Sequence, residues 1–525
     1  MIIDSILNRI KIDKEKIIIF SFIFFIKICY LIIVFNFSFT TEYFLKDFRG
    51  DGNEYLKTSL NLANNGEYRS EFHDGVTEYV YRMPGMATIL TPLLFLFPFS
   101  VAAKLFILFQ VFLLSIASTY LFLYLKKINR NRFINGALFL FLSTGSYFNQ
   151  HLNHILAETI SVSLFIIICC YLLQKKEFEI NAGFFIICLL FTWLFFLRPF
   201  MIVFLPLICV KISDLKSIKN GTIFFLKSNR AVILLTAIIV FFTGLWTLRN
   251  YIKTSEVVFM EYSVRADKIS DLFECAPEIK NYIIDFGGDF YVTPYNSKTS
   301  HLLWFYPEDM LKRSKLDRPP NAIFPAIVFG DKITIDSLLG IRAAIDSVLT
   351  AAPKSKKREV FFEQYKKRLK RAEEVLAKNT NFIFKIKTKR DEALAFLYQP
   401  VQDPFSKGSG FFYNLFLCLN ACLNGFFISL IIMISVFYFF IKDNFKTYYY
   451  IYIPAVFLIL LYITYFAVKE QRGLFCYYPA FLIVGMNARN LFTSKIKWIQ
   501  ICKVISLLCF ILLLGIYGVY ILKKG

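Results

Sequence analysis

The fold this sequence predicts is an all-α polytopic membrane bundle carrying an outer soluble domain of α/β or mixed class. Three observations predict it. Hydrophobic residues fill 57% of the 525 positions and aromatic residues 18%, with a mean hydropathy of +0.53, above what a soluble domain carries. Apolar runs able to cross roughly 30 Å of hydrocarbon recur along the chain, about eleven in all. Between them lies one long polar segment, 249–411.

The first run, 17–37, follows a basic lead (Arg9, Lys11, Lys14, Lys16). It is too long for the apolar core of a signal peptide and lacks a small-x-small cleavage site, so it is expected to stay as a span. Further spans are expected at 101–125, 133–149, 155–173, 183–197, 199–210, 231–248, 412–441, 447–467, 474–490 and 499–522. The short pair 183–197 and 199–210 flanks Arg198-Pro199 and reads as a hairpin of half-spans. Such a break is tolerated only where protein or water covers the backbone. Residues 84–98 are apolar but short and bounded by prolines. They are expected to lie at the interface or re-enter, since a span there would invert the charge pattern downstream.

With the N-terminus inside, the segments 1–16, 126–132, 175–176, 211–230, 442–446 and 489–497 are cytoplasmic, and each is basic, as the positive-inside rule requires. The net charge of +22 follows from these loops and an anionic lipid surface; no nucleic-acid-binding motif accompanies it. The outside then receives 47–86, 146–154, 249–411 and 469–473. This divides the chain into an N-terminal membrane module, 1–248, whose outer loop 38–100 holds the chemistry, an extracytoplasmic domain, 249–411, and a C-terminal membrane module, 412–525. Within the middle domain, Val360, Phe361, Tyr365, Leu369, Ala372 and Leu376 recur at helical spacing among lysines and arginines, a basic amphipathic helix. All cysteines but Cys275 and Cys476 lie in or beside apolar runs, so neither a disulfide framework nor a zinc ribbon is expected.

The stretch D-F-R-G-D-G-N-E-Y to Y-R-M-P-G at 47–85 is the richest in chemistry. Asp51 and Glu54 have capping-box spacing, Tyr55, Leu56, Leu60 and Ala63 supply an apolar face, and Gly66 supplies a stop, so Asp51 reads as a helix cap. It equally has the chemistry of a general base for an acceptor hydroxyl, with Glu54 holding an acceptor group. The two roles are compatible. Glu158 stands at the outer mouth of the fourth span, where a charge needs a cavity, a partner or a function. His151, His154 and Glu158 at i, i+3 and i+7 would share one helix face, a spacing compatible with a metal site; interfacial histidines bonded to water are the simpler reading, and no metal or cofactor is expected. Arg82, Arg198, Arg249 and Arg472 all fall near outer span ends. Any one can snorkel; four on one side suggest a bound anion, because a guanidinium grips phosphate bidentately. No nucleotide-binding loop, zinc-protease helix or nucleophile elbow is found in a supporting setting.

The ordered pieces D-G-N-E-Y-L-K-T-S-L-N-L-A-N-N-G-E-Y, Y-R-M-P-G, N-H-I-L-A-E-T, F-L-R-P-F, W-T-L-R-N-Y and K-E-Q-R-G-L-F-C-Y-Y-P-A resemble the GT-C class of polytopic glycosyltransferases. Within it the chain is most similar to bacterial relatives of protein O-mannosyltransferases and of the lipid A aminoarabinose transferase. The resemblance implies inverting transfer of a single sugar from a polyprenyl-phosphate donor to a lipid, glycan or protein acceptor outside the plasma membrane. It implies Asp51 and Glu158 as the two acidic catalytic positions, and Arg82, Arg198 and Arg472 as donor-phosphate groups; Glu54, beside Asp51, and Arg249, at an outer span end, join them as candidates by position. Tyr55, His154 and Tyr477, in the same motifs, are candidates for contacting sugar or acceptor. The W-W-D motif of oligosaccharyltransferases is missing, which argues against whole-glycan transfer. A flippase or other transporter of lipid-linked glycans is the alternative, and a noncatalytic scaffold a third; transporters place charges near mid-membrane and often show related halves, and no internal repeat is found here.

Overall fold

A computed structural model describes residues 14–45, 51–71, 77–79, 82–128, 132–145, 149, 151–175, 178–212, 229–260, 343–344, 347 and 356–379. The chain forms two compact units, one holding the described residues up to 260 and the other those from 343 onward. The expected spans 412–441, 447–467, 474–490 and 499–522, together with Arg472, Tyr477 and most of 249–411, lie outside the described residues.

The first unit is helical: α1 (Lys14–Phe35), α2 (Asp51–Asn65), α3 (Ala87–Leu96), α4 (Phe99–Ile128), α5 (Arg132–Thr144), α6 (Ala157–Gln174), α7 (Ala182–Leu197), a 3-10 turn at Pro199–Phe204, α8 (Leu205–Ile212) and α9 (Arg230–Thr254). Four of these, α1, α4, α6 and α9, are long and apolar enough to cross a membrane. A minimal antiparallel pair, β1 (Ser70–Glu71) with β2 (Thr77–Glu78), closes the polar loop after α2. The second unit contributes α10 (Lys356–Asn379), the expected basic helix. Its Tyr365 is buried while Val360 is exposed, so the apolar stripe is narrower than its periodicity suggests.

Side-chain contacts fix how the helices run. Lys126 near the end of α4 pairs with Glu15 at the start of α1, while Lys104 near the start of α4 donates to the Phe39 carbonyl just beyond α1. The two helices are therefore antiparallel, with the basic segments at 126–128 and 14–16 gathered at one end. Helix α6 packs along α4 and against α7, and α9 packs against α7. At ten residues, α3 spans about 15 Å and is too short to cross a bilayer; it packs on α2 and α4.

The third expected span differs. Helix α5 stops at Thr144 rather than 149, giving about 20 Å of helix. The last carbonyls of a helix lack intrahelical donors, and here a buried cation supplies them. The Lys27 ammonium, with 0% exposure, donates to the Leu142 carbonyl at 2.8 Å and to Asn149 Oδ1 at 2.9 Å. Asn149 in turn donates to the Ser143 carbonyl at 3.0 Å. A helix can end at membrane depth when protein satisfies its backbone, and His151 and His154 lie on turns at 151–154. The break after α7 matches expectation: Arg198 leaves helical geometry and Pro199 opens the 3-10 turn, because proline disfavours a helical residue before it.

Candidate functional site

Helix α2 begins at Asp51 and ends where Gly66 adopts φ 67° and donates to the Leu62 carbonyl at 3.1 Å. That left-handed conformation favours glycine at a helix stop. Tyr55 and Leu56 are buried on its apolar face. Thr58 Oγ1 lies 2.7 Å from Ser70 Oγ, and Asn61 donates to the Arg69 carbonyl at 3.1 Å, tying the returning strand to the helix. The N-terminus of α2 docks closely: a Cβ at Gly52 would lie 3.0 Å from the Ile155 carbonyl oxygen. The backbone thus sets Asp51 beside the turn that leads into α6.

Glu158 sits in the first turn of α6 and Arg198 caps the end of α7. Arg198 Nη2 donates to Glu158 Oε1, joining residues 1% and 7% exposed. Glu158 Oε2 is buried and has no hydrogen-bond partner among the described residues, and neither do His151 Nε2, Thr159 Oγ1 and Ser161 Oγ. Removing a carboxylate and a guanidinium from water costs several kcal/mol per ion, so this pair is weak grounds for stability and better grounds for a site.

His151 and His154 stand before α6, not on it, since the helix starts only at Ala157. The expected single face carrying both histidines and Glu158 is therefore not formed by helical repeat; a turn brings the groups together. Their rings lie 6.3 Å apart. His151 is buried at 7% exposure rather than interfacial. Burial, opposed by the Glu158 charge, lowers its pKa to about 4. Burial also lowers that of His154. His151 is therefore neutral near pH 7. Among the described residues no cluster of three His, Cys, Asp or Glu side chains has the spacing to hold a metal ion.

A second pair ties α2 to the segment beginning at Arg82. Arg82 Nη2 donates to Glu54 Oε2 at 3.0 Å, and the same guanidinium lies over the Tyr55 ring at 5.2 Å. The segment after Arg82 is pressed onto the end of α7: a Cβ at Gly85 would meet the Phe196 carbonyl carbon at 2.5 Å and the Leu197 nitrogen at 2.6 Å, and Trp193 Nε1 donates to the Gly85 carbonyl at 2.9 Å. Only a glycine permits that approach. Arg249, on α9, donates to the carbonyls of Tyr68 and Tyr79 and lies over the Trp246 ring at 5.1 Å. It holds the polar loop to α9.

The structure thus brings Asp51, Glu54, Tyr55, Arg82, His154, Glu158 and Arg198 to the end of the bundle away from the basic segments. Sequence pattern does not single out Gln110, which donates to the His154 carbonyl at 2.8 Å, nor Trp193, Lys27 and Asn149. The usable signal was a lone charge or amide inside an apolar run, since such a group must find a partner.

No protein-family model, no curated protein and no solved structure matches this chain.

Proposed function

We propose that this protein is a membrane glycosyltransferase of the GT-C kind, with about eleven spans in all, that moves one sugar from a polyprenyl-phosphate donor to a cell-envelope acceptor on the outer side of the plasma membrane. One observation carries the reading: the buried Glu158–Arg198 pair, with a carboxylate oxygen unpartnered among the described residues, lies beside neutral His151 and the turn on which Asp51's helix docks. Carboxylates and guanidinium groups at one end of an apolar bundle suit a substrate that is a sugar, a phosphate and a hydrocarbon tail at once.

In the proposed reaction the acceptor hydroxyl oxygen bonds to the anomeric carbon as the bond from that carbon to the phosphate oxygen breaks. Polyprenyl phosphate leaves with the electron pair, the configuration inverts, and Asp51 takes the hydroxyl proton. Arg198 and Arg82 stabilise the charge growing on the phosphate. A guanidinium carries five donors, so each can keep its carboxylate contact meanwhile. Glu158 holds Arg198 in place and offers its second oxygen to the sugar.

The purified full-length protein in lipid nanodiscs tests this, supplied with polyprenyl-phosphate sugars and, separately, nucleotide sugars. Transfer is expected from the lipid-linked donor alone. Efficient transfer from a nucleotide sugar with no lipid donor present would refute the donor class. Mass spectrometry of envelope glycolipids and glycoproteins with and without the gene identifies the acceptor. Transport of lipid-linked glycan is the alternative; the buried mid-helix Lys27 is the charge it would use, but its contacts are those of a helix-end cap.

A further inference from the structure

A cavity of about 820 Å³ opens at the basic end of the bundle, between α1, α4 and the end of α6, remote in the fold from the Glu158–Arg198 pair. Its volume falls within the range of small-ligand sites. Lys16, Lys126 and Lys127 line its basic end, its mouth; Phe20, Ile116 and Tyr120 line it further along α1 and α4, its apolar depth. Glu15 pairs with Lys126, whereas Lys16 and Lys127 are exposed and have no acidic partner among the described residues. Ile116 lies about 15 Å of helix from Lys126, so the cavity is cationic at one end and apolar along its length. Tyr120, half exposed at 51%, leaves the apolar wall open to the side.

Lysines in the last turn of α4 also oppose the helix dipole, and basic loops set membrane orientation. Those roles account for the charges and for nothing about the groove. A free phosphate would use only the mouth, and a neutral lipid only the depth. We propose that this cavity binds one anionic phospholipid of the adjacent leaflet, its phosphate between Lys16 and Lys127 and an acyl chain along Phe20, Ile116 and Tyr120. The site rests on α1, α4 and α6 lying in a bilayer and not on the sugar-transfer reading.

Native mass spectrometry of the full-length protein, titrated with phosphatidylglycerol, phosphatidylcholine or inorganic phosphate, tests the site. One phosphatidylglycerol should bind in preference to phosphatidylcholine, with inorganic phosphate a poor competitor. K16Q and K127Q should each weaken it about fivefold, and the double variant more than either alone, while K16R/K127R retains it. Equal binding of the two lipids, or unchanged preference in the double variant, overturns the proposal. The melting temperature in phosphatidylcholine nanodiscs checks folding. Should the double variant fail to fold, K127Q alone must still show the loss. Sugar transfer is read separately in phosphatidylcholine nanodiscs, so loss of the lipid site and loss of the reaction are distinguishable.

Discussion

Arg198, the last residue before the break at Pro199, donates to Glu158 from a neighbouring helix, and both side chains are withdrawn from solvent. Neither residue needs the other for its helix to form. The packing of α6 on α7 makes them a pair, and most of what this chain is expected to do turns on it.

Removing one partner leaves the other charge buried, a loss of about 3–5 kcal/mol. E158Q is therefore expected to lower the melting temperature and the yield of monodisperse protein. E158L/R198L, which removes both charges, should recover much of that stability. Sugar transfer should stay abolished in the double variant. Restored transfer would make the pair purely architectural.

Asp51→Asn separates capping from catalysis, because Asn ranks with Asp as a helix cap. Normal expression and donor binding with turnover reduced about 10²- to 10⁴-fold is expected of a lost general base. Turnover by purified wild type and D51N in nanodiscs, with donor affinity measured alongside, decides the matter. Near-normal turnover assigns Asp51 to architecture.

Gly85→Ala should be among the most damaging methyl additions, since its Cβ would overlap backbone atoms of Phe196 and Leu197. Overpacking typically costs about 1–3 kcal/mol, and here the neighbour is backbone one residue from Arg198. Gly244→Ala is the control. Nothing lies within 4 Å of its Cβ, so the exchange should be neutral or gain up to about 1 kcal/mol of helix propensity. Thermal melts of the two variants should move in opposite directions or by clearly different amounts.

His151 gives a pH dependence with a definite sign. Its folded pKa, about 4, lies below the ordinary 6.5, so on acidification the unfolded chain takes up the proton first. Stability from this group is fully present above pH 6.5 and declines as pH falls toward 4, by at most about 1.4 kcal/mol per pH unit. His151→Gln should flatten the melting-temperature profile across that window. An unchanged profile would remove His151 as its source.

Lys27→Met tests the cap on α5. The substitution is close in size but takes the donors from the Leu142 carbonyl and Asn149, and each buried polar group left unsatisfied costs about 1–3 kcal/mol. Faster hydrogen exchange in 141–156 than in wild type is expected, with α1 itself unaffected.

Much of the fold was legible because it is written locally. A helical membrane protein follows from run length and apolar content, the break at Arg198-Pro199 from proline's backbone, the stop at Gly66 from glycine's, and α10 from a repeat near 3.6 residues. Each is a property of neighbours in the chain. The site was legible only as a set of unusual residues: charges near the ends of apolar runs, with nothing in the spacing to say which would meet. Sequence periodicity even suggested a wrong grouping, His151 and His154 on the helix of Glu158, because it cannot register a helix that starts late. Tertiary packing decided that Glu158 holds Arg198, that Glu54 holds Arg82, that Arg249 fastens the polar loop, and that Lys27 ends α5. The physical reason is that helix formation is satisfied within a few residues, whereas a buried charge is satisfied only by a group that the fold carries to it from elsewhere in the chain.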